Sequence, residues 1–143
     1  MSIAIVLVFY GFSSSMRIFN DEMYDAAVSI ETQRAMENIT ADLRGTQGVD
    51  SGLSNAASIT FWSQDLNGGG VTSDAITYNW TGASDRMIYK TVNSAPSQEI
   101  STNIGAFYLT YGGDPVNSVY IRITGQKGTS ISTLESSVKL RNK

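Results

Sequence analysis

The sequence predicts an α+β fold, with one long N-terminal helix packed on an antiparallel β-sheet. Three observations carry that expectation. Residues 1–44 contain no proline and only one glycine, Gly11, so little in that stretch interrupts a helix. Their first dozen residues form an almost unbroken apolar run, and the remainder turns amphipathic. From Ser58 onward, short runs of alternating apolar and polar residues are separated by Gly, Pro, Asn and Asp, which is how antiparallel strands and their turns read. As a single helix at about 1.5 Å per residue, residues 1–44 make a rod of roughly 65 Å. That far exceeds the mean helix of about 11 to 12 residues. The expected organisation is a stalk helix over residues 1–45, apolar over 1–12 and amphipathic over 13–44, followed by a β-rich head over 46–143.

Within the stalk, Ile3, Ile5, Val6, Leu7, Val8, Phe9 and Phe12 crowd all round the helix. One sheet cannot bury such a helix, which must be surrounded by lipid or by other helices. After the polar residues 13–15 a stripe reappears. Phe19, Met23, Ala26 and Ile30 follow four-three-four spacing, and Met36, Ile39 and Leu43 resume it, as one face of a helix does. Phe19, Met23, Ile30, Met36, Ile39 and Leu43 are therefore expected to hold the sheet, mainly through the C-terminal half. The other face carries Asp21, Glu22, Asp25, Glu31, Arg34, Glu37 and Asp42. Arg17 with Asp21 and Glu31 with Arg34 have the spacing of local ion pairs, worth about 0.2–0.5 kcal/mol each. Gly45 suits a helix C-terminus that turns left-handed.

In the head, residues 46–55 read as loop by composition. Residues 58–63 align Ile59 and Phe61, and residues 75–80 align Ile76, Tyr78 and Trp80. Residues 86–92 form another strand, and 99–100 a short edge piece. Residues 106–111 align Phe107, Leu109 and Tyr111, and residues 118–123 align Val119, Ile121 and Ile123. The last run holds Ile131, Leu134, Val138 and Leu140. One sheet face is expected to pack on the lower half of the helix, each large apolar side chain contributing about 1.5–3 kcal/mol on burial.

Composition removes several function classes. Of the 143 residues only 16% are charged, against 41% hydrophobic; Ser, Thr, Asn and Gly solvate the surface instead. A net charge of −3 and a pI near 4.8 argue against a nucleic-acid partner, because phosphate binding needs a basic face. The chain has no cysteine and no histidine. Disulfides, cysteine nucleophiles, thiolate or imidazole metal ligands and histidine bases are thus excluded. No pair of carboxylates has a base or nucleophile beside it, so the expectation is no catalytic residue, no cofactor and no enzyme activity. The apolar run does not read as a signal peptide, since its first basic side chain, Arg17, comes after it and not before. It also falls short of the about 20 residues that span a bilayer. It reads as a helix buried in protein, or as the lower part of a membrane helix that begins before Met1.

The plan as a whole resembles the type IV pilins and type II secretion pseudopilins. Residues 31–44, Glu-Thr-Gln-Arg-Ala-Met-Glu-Asn-Ile-Thr-Ala-Asp-Leu-Arg, are similar to the lower helix of the minor pseudopilin J and minor pilin W type. The runs at 59–61, 75–78, 85–89, 103–111 and 119–123 resemble the strand order of that type, and 137–142 resembles its close. The resemblance covers nearly the whole chain. It implies a structural subunit of a type IV pilus-like filament, extracellular or periplasmic, assembled with copies of itself or other pilins through N-terminal helix packing. Ile3, Ile5, Val6, Leu7, Val8, Phe9 and Phe12 would form the filament core, and the chain would be anchored in the inner membrane before assembly. Two alternatives remain open: a minor pseudopilin at the tip of a type II secretion pseudopilus, and a membrane-anchored adhesin or DNA-uptake binding module. One departure is plain. The family opens with a Phe-Thr-Leu-Ile-Glu type segment, whereas the matching position here is Ile5 and the first acids are Asp21 and Glu22. Matching Asp42-Leu43-Arg44 to the family leads us to expect about a dozen residues before Met1.

Two candidate sites stand apart from the helix. Asp65, Asn67 and Asp74 place hard oxygens in a glycine-rich connection, as calcium loops do. The full EF-hand spacing fails and no glutamate closes it, so a plain hairpin is the better reading. Asn79-Trp80-Thr81 fits the N-glycosylation sequon and makes Asn79 a candidate; Asn38, in the same pattern, lies mid-helix. Trp62, Trp80 and the tyrosines also suit a stacking face for sugar or DNA, but alternation assigns most of them to the sheet core.

Overall fold

A computed structural model describes residues 2–63, 74–113 and 115–140, with residues 2–4 and 47 as backbone only. Helix α1 (Ser2–Arg44) runs for 43 residues without a break. It ends where Gly45 donates its N–H to the carbonyl of Asp42 at 3.1 Å. Gly45 does so without entering the left-handed region, which is held by Gly82, Gly113 and Gly128 among the described glycines. Among the described residues eight strands follow: β1 (Thr46–Val49), β2 (Ser58–Ser63), β3 (Asp74–Trp80), β4 (Ile88–Val92), β5 (Gln98–Ser101), β6 (Ile104–Gly112), β7 (Ser118–Lys127) and β8 (Ser130–Lys139). The fold is α+β, a long helix against antiparallel sheet.

Among the described residues the head holds two sheets where one was expected. The first has the order β1-β2-β3-β4-β5 and the second β6-β7-β8, every neighbour antiparallel. Hydrogen bonds stitch them together. Trp80 Nε1 donates to the Ile104 carbonyl at 3.0 Å, the Ile104 N–H to Arg86 O at 2.8 Å and the Leu109 N–H to Ala56 O at 3.2 Å. The Tyr111 hydroxyl reaches the carbonyls of Asn55 and Ser58 at 3.0 and 3.2 Å. Strand β1 was expected as loop. Its four residues include a glycine, and it pairs with β2 through an irregular register between Thr46 and Gly48, too short to show a period in sequence.

Side-chain alternation behaves as the period of two requires. Ile59, Phe61, Ile76, Tyr78, Phe107, Leu109, Val119, Ile121 and Ile123 are all buried, and the rings of Phe61 and Tyr78 stack with centroids 6.2 Å apart. Ile131 is the exception in the last run. It has the opposite parity to Leu134, Val138 and Leu140 and is exposed.

Helix α1 packs chiefly on β7 and β8 and also touches β5 and β2. It crosses β7 above Gly125. A Cβ at that position would collide with the Thr32 hydroxyl and lie 2.8 Å from Val28 Cγ1, so the missing side chain sets how close the helix comes. The two buried threonines of the helix are satisfied internally: Thr32 donates to Val28 O and Thr40 to Met36 O, both at 2.7 Å. Such back-bonding is how a hydroxyl is carried inside a helix interface.

Candidate functional site

The C-terminal half of α1 meets the head through Val28, Thr32, Ala35, Met36, Ile39 and Leu43, all buried. Met36, Ile39 and Leu43 are thus where the sequence places them. Phe19, Met23 and Ile30 are not: they are 59%, 53% and 63% exposed and do not hold the sheet. The reason is phase. Six residues separate Ile30 from Met36, a turn of about 600°, so the two rows do not share a side. Val28 and Thr32, two residues before and after Ile30, lie about 200° from it and are 1% and 0% exposed. The real sheet-facing row contains a threonine and an alanine, which an apolar count passes over.

Two carboxylates expected on the outer face also turn inward and tie the helix to the head. Glu31 Oε2 accepts from the Ser101 hydroxyl at 3.0 Å and from the Thr102 N–H at 3.1 Å, while its Oε1 lies 3.5 Å from Arg34. Asp42 Oδ2 accepts from the Tyr78 hydroxyl and from Lys90 Nζ, each at 2.6 Å, and the same ammonium sits 5.8 Å from the Tyr78 ring centre. Burial, then the hydrogen bond to Asp42 and its charge, hold the Tyr78 phenol well above its ordinary titration range, so it stays a donor. Among the described residues no ion pair joins Arg17 to Asp21.

Towards the N-terminus the helix leaves the head. At Tyr24 a cation–π approach of Lys127 to the ring, at 5.1 Å, still joins it to β7. Every residue from 5 to 26 is exposed, including Ile5, Val6, Leu7, Val8, Phe9 and Phe12. The backbone places Ile3 in the same helix; its side chain lies outside the described residues. Wet apolar surface on this scale marks a binding region. Among the described residues no helix is long and apolar enough to cross a membrane.

The remaining candidates separate cleanly. Asp74 is buried and accepts from the Asn93 amide, whose Oδ1 in turn accepts from the Ala75 N–H at 2.8 Å. Asp65 and Asn67 lie outside the described residues, and no group of three or more acidic, histidine or cysteine side chains gathers among those described. Asn79 is exposed on β3 and lines a shallow groove of about 440 Å³ with Ser58, Thr77, Tyr89, Thr91 and Ser97. Comparison with protein-family models, with curated proteins and with solved structures finds no match to this chain.

Proposed function

We propose that this chain is a structural subunit of a type IV pilus-like filament, in the extracellular space or periplasm, with the inner membrane as its anchorage before assembly. One observation carries the reading: a single helix is buried in its own head at one end and wrapped in unpartnered apolar side chains at the other. An apolar surface all round a helix is stable only inside lipid or among other helices. Assembly exchanges one of these surroundings for the other, with copies of the chain or related subunits packed through residues 5–12 and the head on the outside. The role is architectural, with no bond made or broken, and no nucleic acid is needed as a partner.

The test is Val8→Asp in the full chain. Val8 touches nothing in the head, so the head's circular dichroism should match wild type. An unpaired charge buried among helices costs several kcal/mol, so incorporation into sheared filaments, read by immunoblot and electron microscopy, should be abolished. Wild-type levels of assembly by this variant would overturn the proposal.

A further inference from the structure

We infer that the shallow groove on the first sheet is a binding site for a neutral saccharide. Its volume of about 440 Å³ falls within the roughly 300–1,000 Å³ of small-molecule clefts. The alternation that turns Ile59, Ile76, Tyr78 and Ile88 into the core turns Ser58, Thr77, Asn79, Tyr89 and Thr91 to the opposite side, away from α1. Two cross-strand rows build the site. Asn79 stands between Ser58 and Tyr89, and Thr77 stands between Thr60 and Thr91. The turn from β4 to β5 takes Asn93 and Ser94 through the left-handed region and returns the Ser97 hydroxyl to Thr91 Oγ1 at 3.0 Å.

The chemistry of this lining selects the ligand. The Asn79 amide offers two donors and an acceptor, and the Ser58 hydroxyl plays both roles. Among the described residues neither side chain has a hydrogen-bond partner. Thr60 shares a hydrogen bond with Thr77 at 2.9 Å, as Thr91 does with Ser97. Each pair uses one hydroxyl proton and keeps the other. The paired hydroxyls are held in place before a ligand arrives, which lowers the entropic cost of binding. Tyr89 adds a half-buried ring, its own hydroxyl turned to Met87 Sδ at 3.0 Å. A pyranose presents the matching surfaces: hydroxyls that donate and accept around its rim, and an apolar C–H face for the ring. Other occupants are disfavoured by the same residues. No charged side chain lines the groove, so phosphate, nucleic acid and metal ions find no counter-charge there. The row continues to Glu99, opposite Tyr89 on β5, and its carboxylate repels acidic sugars. Strands β3 and β4 are paired on both edges, so a peptide cannot add as a further strand. The inference needs neither residues 5–12 nor a second copy, and it stands or falls apart from the assembly reading.

The test uses the full chain, expressed in cells that lack N-glycosylation so that Asn79 is bare, in a detergent without a sugar headgroup. The labelled protein is applied to an array of neutral oligosaccharides and their sialylated counterparts. The expected result is binding to a subset of the neutral glycans and none to the sialylated forms. Asn79→Ala, at an exposed position, and Tyr89→Ala should each lower the affinity for a bound glycan by at least about five-fold, the worth of one net hydrogen bond. Tyr108→Ala, an exposed ring on the second sheet, should leave it unchanged. Circular dichroism checks that each variant is folded, and Asn79→Ala decides alone if Tyr89→Ala is not. Failure to bind any neutral glycan, a preference for the sialylated forms, or wild-type affinity in Asn79→Ala overturns the site. So does a glycan found covalently on Asn79 in protein from its own cells, because the chain's own sugar would then fill the groove.

Discussion

Phe9 and Ile39 stand thirty residues apart on one unbroken helix, the first three-quarters exposed and the second fully buried. Around Ile39 the buried side chains keep to one side, and small ones, Thr32 and Ala35, let the helix settle onto β7 above Gly125. Around Phe9 the apolar side chains point in every direction, and no single surface covers them. The contrast teaches that the angular spread of apolar residues tells how many neighbours a helix needs, whereas their number does not. One side means one sheet; the whole circumference means company from outside the chain.

The sharpest way to break this comparison is to truncate one residue from each end. Ile39→Ala removes a fully buried side chain and should cost about 2–5 kcal/mol. Phe9→Ala removes an exposed one and should leave stability within about 0.5 kcal/mol. Urea denaturation of the full chain, followed by circular dichroism, measures both; equal losses would mean that residues 5–12 belong to the head. A smaller effect comes from Gly125→Val, where the new side chain meets Thr32 and Val28. Overpacking of that kind should destabilise by about 1–3 kcal/mol in the same assay, confirming that the helix is held at closest approach there and not at its exposed end.

The smallest effect is alkaline. Burial pushes the Tyr111 phenol up from 10.0 to about 12. The folded head keeps this proton more tightly than the unfolded chain does, so the stabilisation is full below pH 10 and drains away as the pH rises towards 12. Tyr111→Phe should flatten that part of the stability–pH curve, and an unchanged slope between pH 10 and 12 would show that Tyr111 does not contribute to it.

Much of the fold is legible in the sequence because its signals are local. The absence of proline from residues 1–44 and the parity of Ile59, Phe61, Val119, Ile121 and Ile123 are read one element at a time. What escapes depends on partners. Phe19, Met23 and Ile30 form a good helical stripe whichever way it faces, and only the position of the head shows that it faces away. Glu31 and Asp42 look like solvent charges until Ser101, Thr102, Tyr78 and Lys90 arrive from far along the chain. Nothing local marks the break between β5 and β6, where one sheet becomes two. At the candidate calcium loop, only Asp74 lies among the described residues.

The attachments of α1 to its head are strung out along the helix axis: Lys127 on Tyr24, Gly125 beneath Val28 and Thr32, Ser101 on Glu31, then Ile39, and last Tyr78 and Lys90 on Asp42. From Tyr24 to Asp42 that is roughly 27 Å of helix. A tug along the axis displaces every one of them by the same amount, so the joint is loaded in shear and its fastenings must yield together. A sideways pull would open them one after another, as a zipper does. A stalk gripped in this way transmits tension along its length far better than it resists being peeled.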